Sequence, residues 1–190
     1  MRIIAGALAG RRLVAPRGLA TRPTSDRVRE ALFSVLASVA GAAVLDLYAG
    51  TGALGLEALS RGAARAAFVE DDRHALEALR ANVGSLGVGN AALVYALRVE
   101  RAAQVLLRAG PFDLVFADPP YADLGAAAAA LTALVPALAP EARLVLEHAR
   151  RDPSPTIAGV ELVAQRGWGD TAVSIYSLQE AAPCQEADLR

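Results

Sequence analysis

The sequence predicts an α/β fold in which helices cover both faces of a mostly parallel β-sheet. From residue 44 onward, short apolar segments alternate with amphipathic helical stretches, which is typical of parallel strands joined by helices. The last two segments are separated only by the turn Gly167-Trp168-Gly169, and strands joined so tightly must be antiparallel. The expected fold is therefore a mostly parallel seven-stranded sheet with an antiparallel carboxyl-terminal strand, preceded by a hairpin and helix extension.

The extension is predicted to occupy residues 1–40. Residues 2–5 and 11–15 indicate two short strands around a glycine-containing connection, hence a hairpin. A loop is expected over 16–23, and then a helix with a polar cap among residues 24–26. One face of this helix carries apolar residues at helical spacing, namely Val28, Ala31, Leu32, Val35, Leu36 and Val39.

The main domain is predicted over residues 41–180. Its strands are expected at 44–48, 66–70, 91–95, 112–117, 143–148, 160–166 and 171–179. Its helices are expected at 53–61, 73–86, 99–109 and 123–139. The helix at 73–86 has an apolar stripe formed by Leu76, Leu79, Val83 and Leu86, which predicts that this face packs on the sheet. Residues 181–190 are expected to form a loose tail.

Composition restricts the classes of protein to which this chain can belong. Its 190 residues are 54% hydrophobic, which suits one domain with a proper core and a short appendage. No apolar run approaches the roughly 18–20 residues of a membrane span, and the start lacks a signal-peptide pattern. The single cysteine, Cys184, excludes an internal disulfide framework. We expect a cytoplasmic protein, a monomer, with no membrane contact.

Positive charge is concentrated at the amino terminus. The formal net charge is −1, yet residues 1–30 hold seven arginines against Asp26 and Glu30, a net charge of +5. A basic segment on an acidic body is the pattern expected for contact with nucleic-acid phosphates, the alternative being an ordinary solvated surface. The residues expected to contact RNA in this segment are Arg2, Arg11, Arg12, Arg22, Thr24 and Arg27.

A glycine-rich motif follows the first strand of the main domain. Gly50, Gly52 and Gly55 spell G-x-G-x-x-G between a predicted strand and a predicted helix, the context in which this motif binds nucleotides. Glu70 stands twenty positions after Gly50, at the end of the next strand, where a carboxylate can bind both ribose hydroxyls. These features predict a nucleoside-type ligand at the carboxyl ends of the strands.

Two observations favour S-adenosylmethionine (SAM) over NAD. Asp46 lies four residues before Gly50, where its carboxylate suits the cationic methionine end of SAM and would sit poorly beside a pyrophosphate. Too little chain also remains for the substrate domain of a dehydrogenase. The expected cofactor is SAM, with S-adenosylhomocysteine as its product. The residues expected to bind it are Asp46, Tyr48, Ala49, Gly50, Thr51, Gly52, Gly55, Glu70 and Asp118.

The segment Asp118-Pro119-Pro120-Tyr121 ends the strand at 112–117. An amine on an aromatic ring is a poor nucleophile, because its lone pair is delocalised into the ring. The Asp118 carboxylate and the Pro119 carbonyl can accept its two N–H bonds and direct the lone pair at a methyl carbon, while the prolines keep the turn rigid and free of competing donors. Tyr121 offers a flat face for the base. These four residues are predicted to be catalytic, and no metal is required.

Together these residues resemble the bacterial RsmD family of 16S rRNA guanine-N2 methyltransferases. The likeness covers about residues 1–180. Its most family-specific part is the run from Arg22 to Glu30. The other matching segments are 1–6, 32–33, 49–61 and 118–121. The resemblance implies a Rossmann-like SAM-dependent methyltransferase fold and an amino-terminal extension that contacts rRNA. It also implies methylation of the exocyclic N2 amine of one guanine of the small ribosomal subunit or its assembly intermediate.

Three other functions remain as alternatives. A DNA adenine or protein glutamine N-methyltransferase would use the same amine-binding turn, although a DNA enzyme usually needs a longer target-recognition region. A non-catalytic nucleotide- or RNA-binding module would not need residues 118–121 intact. An NAD oxidoreductase is the weakest of these alternatives. For the RNA methyltransferase that we expect, the target base would be flipped into a pocket at Asp118–Tyr121.

Overall fold

The computed structural model describes residues 1–16, 26–36 and 38–179. Helices α1 to α5 span Asp26–Val35, Ala53–Ser60, Arg73–Leu86, Ala103–Ala109 and Leu124–Leu134. Strands β1 to β7 span Ala43–Leu47, Arg65–Glu70, Ala92–Ala96, Phe112–Ala117, Leu138–Ala149, Val160–Trp168 and Thr171–Leu178. None of the helices in these described ranges is both long and apolar enough to cross a membrane.

The seven strands form one sheet in the order β3-β2-β1-β4-β5-β7-β6. The first five are parallel to their neighbours, whereas β7 runs antiparallel between β5 and β6. The predicted fold class is therefore confirmed. Between β1 and β4 the direction in which the chain adds strands reverses, and open sheets of this kind bind ligands in the crevice at such a point.

Several predicted boundaries were wrong, and the strand expected over 143–148 begins at Leu138. The helix expected over 123–139 stops at Leu134, because Pro136 lies in a 3₁₀ turn and cannot continue an α-helix. The helix expected over 99–109 begins at Ala103, after a separate 3₁₀ turn. Strand β6 runs on through Trp168, so the last tight turn is Gly169-Asp170 instead of 167–169.

The predicted amino-terminal hairpin is present, although its strands are shorter than expected. One antiparallel bridge joins Arg2 to Arg12, and three backbone hydrogen bonds of 2.9–3.2 Å extend the pairing on either side. We call residues 1–14 the amino-terminal hairpin. Its side chains Ile3 and Leu13 are buried in the core beside α1, so the hairpin is part of the folded domain.

Helix α1 buries Val28 and Leu32 of the predicted apolar face, but the buried face is rotated so that it also includes Arg29 and Phe33. Val35 is 43% exposed, whereas Arg29, expected in the basic surface, is fully buried. The Arg29 guanidinium donates to the backbone oxygen of Arg2 and, at 2.9 Å, to the carboxylate of Asp26. Burial lowers the Arg29 pKa from its usual value. Docking of the hairpin thus sets the rotation of α1, and Arg29 does not belong to a surface that RNA can reach.

The sheet separates two apolar layers. Alternate strand residues point to opposite faces, so Phe116 contacts the layer of α1, α2, α3 and the hairpin, while Val115 contacts the layer of α4 and α5. Phe116 packs against Phe33 of α1 with ring centroids 5.6 Å apart. Both faces of the central strands are therefore covered, and the carboxyl ends of the strands form the crevice.

Candidate active site

Acidic residues lie at the carboxyl ends of four neighbouring strands. In sheet order they are Glu70 of β2, Asp46 of β1, Asp118 after β4 and Glu147 of β5. Asp46 pairs with Phe116 across β1 and β4, and Phe116 pairs with Val145 across β4 and β5, so Asp118 and Glu147 continue adjacent rows on the same face. We call these four residues the acidic row. Sequence reasoning missed Glu147, although its position at the end of a predicted strand was available.

Asp46 lies beneath the glycine motif instead of in the open crevice. Its side chain is 2% exposed, and its carboxylate oxygen Oδ2 accepts the backbone N–H of Gly55 at 2.9 Å. Burial is the main reason why the Asp46 pKa is raised to about 8; the Gly55 hydrogen bond opposes this shift, and the charges of Asp118 and Glu70 contribute to it. At neutral pH the group is therefore mostly protonated until a cation approaches.

Glu70 fastens the glycine loop, residues 49–52, to the end of β2. Its Oε2 accepts the Gly50 N–H at 2.7 Å, and its Oε1 accepts the N–H groups of Asp71 and Asp72, each at 2.8 Å. A carboxylate offers about four acceptor positions, so three backbone donors do not exhaust it. Glu70, the residue predicted to bind the ribose, therefore lies next to Gly50 at the edge of the crevice.

The glycine loop has an unusual backbone. Gly50 and Gly52 have φ values of +56° and +78°, and Tyr48 is the non-glycine residue with positive φ, +56°, among those the structure describes. A Cβ on Gly52 would lie 2.4 Å from the Leu79 side chain, whereas a Cβ on Gly50 would meet nothing closer than 4.0 Å. Gly52 is thus required for packing, and Gly50 leaves open space in front of the backbone.

The side chain of Tyr48 lies on the face of the sheet that α4 and α5 cover, where it contributes a polar group. Its hydroxyl is buried and has no hydrogen-bond partner. Burial raises the Tyr48 pKa to about 12, with smaller contributions from the charges of Glu100 and Asp123. A buried hydroxyl without a partner costs about 1–3 kcal/mol, which a ligand acceptor would recover.

The segment Asp118–Tyr121 leaves β4 as predicted and enters a 3₁₀ turn. Asp118 is half-buried, Pro119 is buried and Pro120 is exposed. The Pro120 carbonyl accepts the Asp123 N–H at 2.9 Å, and neither proline has an N–H to donate. The side chain of Tyr121 lies outside the described part of the chain. Asp118 lies two residues after Phe116, the β4 partner of Asp46, so the two carboxylates are on the same face and near the same edge of the sheet.

The residues expected to contact RNA are only partly brought together. Arg2 and Arg27 line one cavity of about 390 Å³ between the hairpin and α1, which also contains Asp26 and Glu30. Arg11, on the second arm of the hairpin, donates to the backbone oxygen of Ser85 at 2.6 Å. Arg12 is exposed on the same arm, and the expected contacts Arg22 and Thr24 lie outside the described residues.

No group of three or more His, Cys, Asp or Glu side chains with a geometry for holding a metal ion occurs in ranges 1–16, 26–36 and 38–179. His148 is buried, and its Nε2 lies 2.8 Å from the Ser174 hydroxyl oxygen. His74 lies on α3 with its Nδ1 3.9 Å from Glu77. Each histidine thus has an ordinary structural environment.

Comparison with known proteins gives similarity along nearly the whole chain. The family model described as conserved hypothetical protein 95 matches residues 1–177. Ribosomal RNA small subunit methyltransferase D of Escherichia coli K12 is 47% identical over 122 residues, or 64% of this chain and 60% of that protein. The protein of the same name from Haemophilus influenzae is 32% identical over 182 residues, or 93% of each chain.

Solved structures give the same picture. An Escherichia coli chain described as "Putative methyltransferase yhhF" is 39% identical, with a TM-score of 0.80. The match covers 94% of this chain and 98% of that one. The similarity thus includes the amino-terminal hairpin as well as the sheet and its crevice.

Proposed function

Since this chain belongs to the RsmD family, whose model is described as conserved hypothetical protein 95, we propose that it methylates 16S rRNA with SAM as the methyl donor. The accepting atom is the exocyclic N2 nitrogen of a guanine in the small ribosomal subunit or its assembly intermediate. Relatives named ribosomal RNA small subunit methyltransferase D support rRNA as the substrate. The observation that carries the chemistry is the position of Asp118 and Pro119 directly after β4, which places Asp118 in the acidic row.

The crevice fits SAM on three counts. Open space in front of Gly50 admits a ligand against bare backbone. The unpartnered hydroxyl of Tyr48 offers a polar contact. The acidic row supplies negative charge for a molecule with a sulfonium and an ammonium group, and an approaching cation favours ionisation of Asp46. Glu70 and Gly50 would hold the ribose side, and Asp46 and Asp118 would face the methionine side.

When bound, SAM supplies an electrophilic methyl carbon. Asp118 and the Pro119 carbonyl each accept one N–H of the guanine amine, which localises the nitrogen lone pair. Held in this way, the nitrogen lone pair would point at the methyl carbon, and transfer would leave the electron pair of the methyl–sulfur bond on the neutral thioether product. The amine nitrogen is then cationic and passes one proton to Asp118 or to water. Positioning and hydrogen bonding account for this catalysis, and the chain forms no covalent intermediate.

Recognition of rRNA is assigned to the exposed arginines of the amino-terminal segment. Arg2, Arg12 and Arg27 are exposed, and guanidinium groups bind phosphates in a bidentate geometry. Arg22 and Thr24 remain proposed contacts. Tyr121 is proposed to stack on the flipped guanine, a type of contact worth about 1–3 kcal/mol.

The test supplies labelled SAM and small subunits that lack the modification, followed by nucleoside analysis of the rRNA. We expect N2-methylguanosine with the wild type and a loss of at least a hundredfold in rate with Asp118→Ala. Asp123→Ala is the matched control, because Asp123 is an exposed acid five residues further along the chain. Product on adenine, DNA or protein would contradict the substrate assignment, and equal rates for the two variants would contradict the role of Asp118.

A further inference from the structure

Asn82 of α3 connects two parts of the molecule that have different proposed ligands. Its side chain is fully buried, and all of its contacts are with backbone. The amide oxygen Oδ1 accepts the Val14 N–H at 2.7 Å, and Nδ2 donates to the Val14 oxygen at 3.1 Å and the Thr51 oxygen at 3.0 Å. Val14 belongs to the amino-terminal hairpin, whereas Thr51 is the middle residue of Gly50-Thr51-Gly52.

Only an amide matches this set of partners. The Val14 N–H requires an acceptor, and the two carbonyl oxygens require donors, which a carboxylate or an alkyl group would not provide. A second contact reinforces the connection, since the Thr51 hydroxyl lies 3.6 Å from the sulfur of Met1 at the other end of the hairpin. One end of the hairpin therefore contacts Thr51 directly, and the other end is connected to Thr51 through Asn82.

Ser60 of α2 offers a contrast within the same hairpin. Its hydroxyl accepts the Leu8 N–H at 3.0 Å and donates to the Ala5 oxygen at 2.5 Å. Ser60 is nearly as deeply buried as Asn82, with 3% exposure, and both of these bonds are to backbone groups of the hairpin. They hold the tip of the hairpin to α2, whereas the bonds of Asn82 extend to the glycine loop.

We propose that Asn82 is a positioning residue that couples RNA binding at the hairpin to cofactor binding at the glycine loop. RNA that holds the hairpin in place also holds Val14, and through Asn82 it fixes the Thr51 carbonyl and the loop backbone around it. Such coupling is reciprocal, so a bound cofactor strengthens RNA binding by the same factor. This inference rests on the proposed function, because it requires both ligands.

The experiment measures the Kd of S-adenosylhomocysteine, an unreactive probe, with and without unmodified small subunits. For the wild type we expect the subunit to lower this Kd by about fivefold or more, a typical size for such coupling. We compare the ratio of the Kd without subunits to the Kd with subunits. In Asn82→Ala this ratio should be close to one. Ser60→Ala should keep the wild-type ratio, even if it weakens RNA binding itself.

Val14→Pro provides a second route if Asn82→Ala does not fold. This change removes the N–H that Asn82 accepts, and the Val14 side chain is 54% exposed, so no core side chain is lost. A reduced ratio supports the proposal. The proposal is overturned if the ratio is one in the wild type or if it is unchanged in the Asn82 and Val14 variants. It is also overturned if Ser60→Ala reduces the ratio by the same amount as those variants. Methylation of the subunits by the wild type is scored separately, so failure of the coupling and failure of the proposed function are distinguishable.

Discussion

Glu57→Gln tests whether a single carboxylate docks the amino-terminal hairpin on the sheet domain. The Glu57 side chain is fully buried in α2. Its Oε2 accepts the Ile4 N–H at 2.7 Å, and its Oε1 accepts both the Ala5 N–H at 3.0 Å and the Arg61 Nε–H at 2.8 Å. Glutamine has the same shape but only one acceptor oxygen, so the variant changes hydrogen bonding and charge without creating a cavity.

The magnitude follows from what glutamine leaves unsatisfied. If its oxygen replaces Oε1, its NH₂ group faces the Ile4 N–H, and a buried donor without an acceptor costs about 1–3 kcal/mol. The variant also removes the negative charge beside Arg61, whose side chain is 23% exposed. Breaking a buried ion pair costs about 3–5 kcal/mol, and the partial exposure of Arg61 favours a smaller value. We expect the free energy of unfolding to fall by about 3 kcal/mol in total.

Urea unfolding followed by circular dichroism measures this loss. With an m-value of about 2 kcal/mol/M, the midpoint should fall by about 1.5 M. Glu77→Gln is the matched control, since Glu77 also pairs with an arginine four residues away, Arg73, at 3.1 Å. Both side chains of that pair are exposed, and such pairs contribute about 0.3–0.5 kcal/mol. Equal midpoints for the two variants would refute the docking role of Glu57.

Three further predictions concern the glycine motif and the acidic row. Gly55→Ala should unfold at a lower urea concentration than the wild type, because its Cβ would lie 2.4 Å from the Phe68 ring. In Gly84→Ala the new Cβ meets nothing within 4 Å, so this change should stabilise α3 by up to about 1 kcal/mol. The urea midpoints of the two variants and the wild type measure both effects. The free energy of unfolding should decrease as the pH rises from about 4 to about 8, because Asp46 keeps its proton in the fold but loses it near pH 3.8 in the unfolded chain. Urea titration at each pH measures this decrease in the wild type and in Asp46→Asn. A decrease of the same size in both would exclude Asp46 as the cause. Glu70→Gln should weaken SAM binding at least tenfold in calorimetry, and an unchanged Kd would remove Glu70 from the cofactor site.

The sequence predicted best those elements whose signals are local. Helix α3 has the predicted bounds, 73–86, because both of its ends are marked in the sequence. At its start the Asp72 side chain accepts the Ala75 N–H, and at its end Gly87 adopts φ +72°, which glycine allows without strain. The parallel direction of strands β1 to β5 also followed from alternation, since strands joined by helices run in one direction.

Contacts between segments distant in sequence were not predictable in the same way. The burial of Arg29 depends on a backbone oxygen of the hairpin, 27 residues away, and no local pattern distinguishes this arginine from Arg27 beside it. Asn82 is similar, because its partners lie 68 and 31 residues away. Helical spacing places Asn82 on the apolar face, three residues after Leu79 and four before Leu86, which indicates burial but does not identify its partners. The hairpin determined both outcomes, and only its existence was readable from the sequence.

Two of the three acids assigned to the cofactor from sequence position, Asp46 and Glu70, also have a structural task, and the two roles support each other. Glu70 accepts the Gly50 N–H and Asp46 accepts the Gly55 N–H, so the glycine motif is held at its first and last glycines before any ligand arrives. A loop held in this way loses little conformational entropy on binding. Because Asp46 is mostly protonated in the apo protein, its full negative charge develops only when a cation lowers its pKa. The fold therefore avoids burying an unpaired charge while keeping that charge available where the sulfonium is proposed to bind.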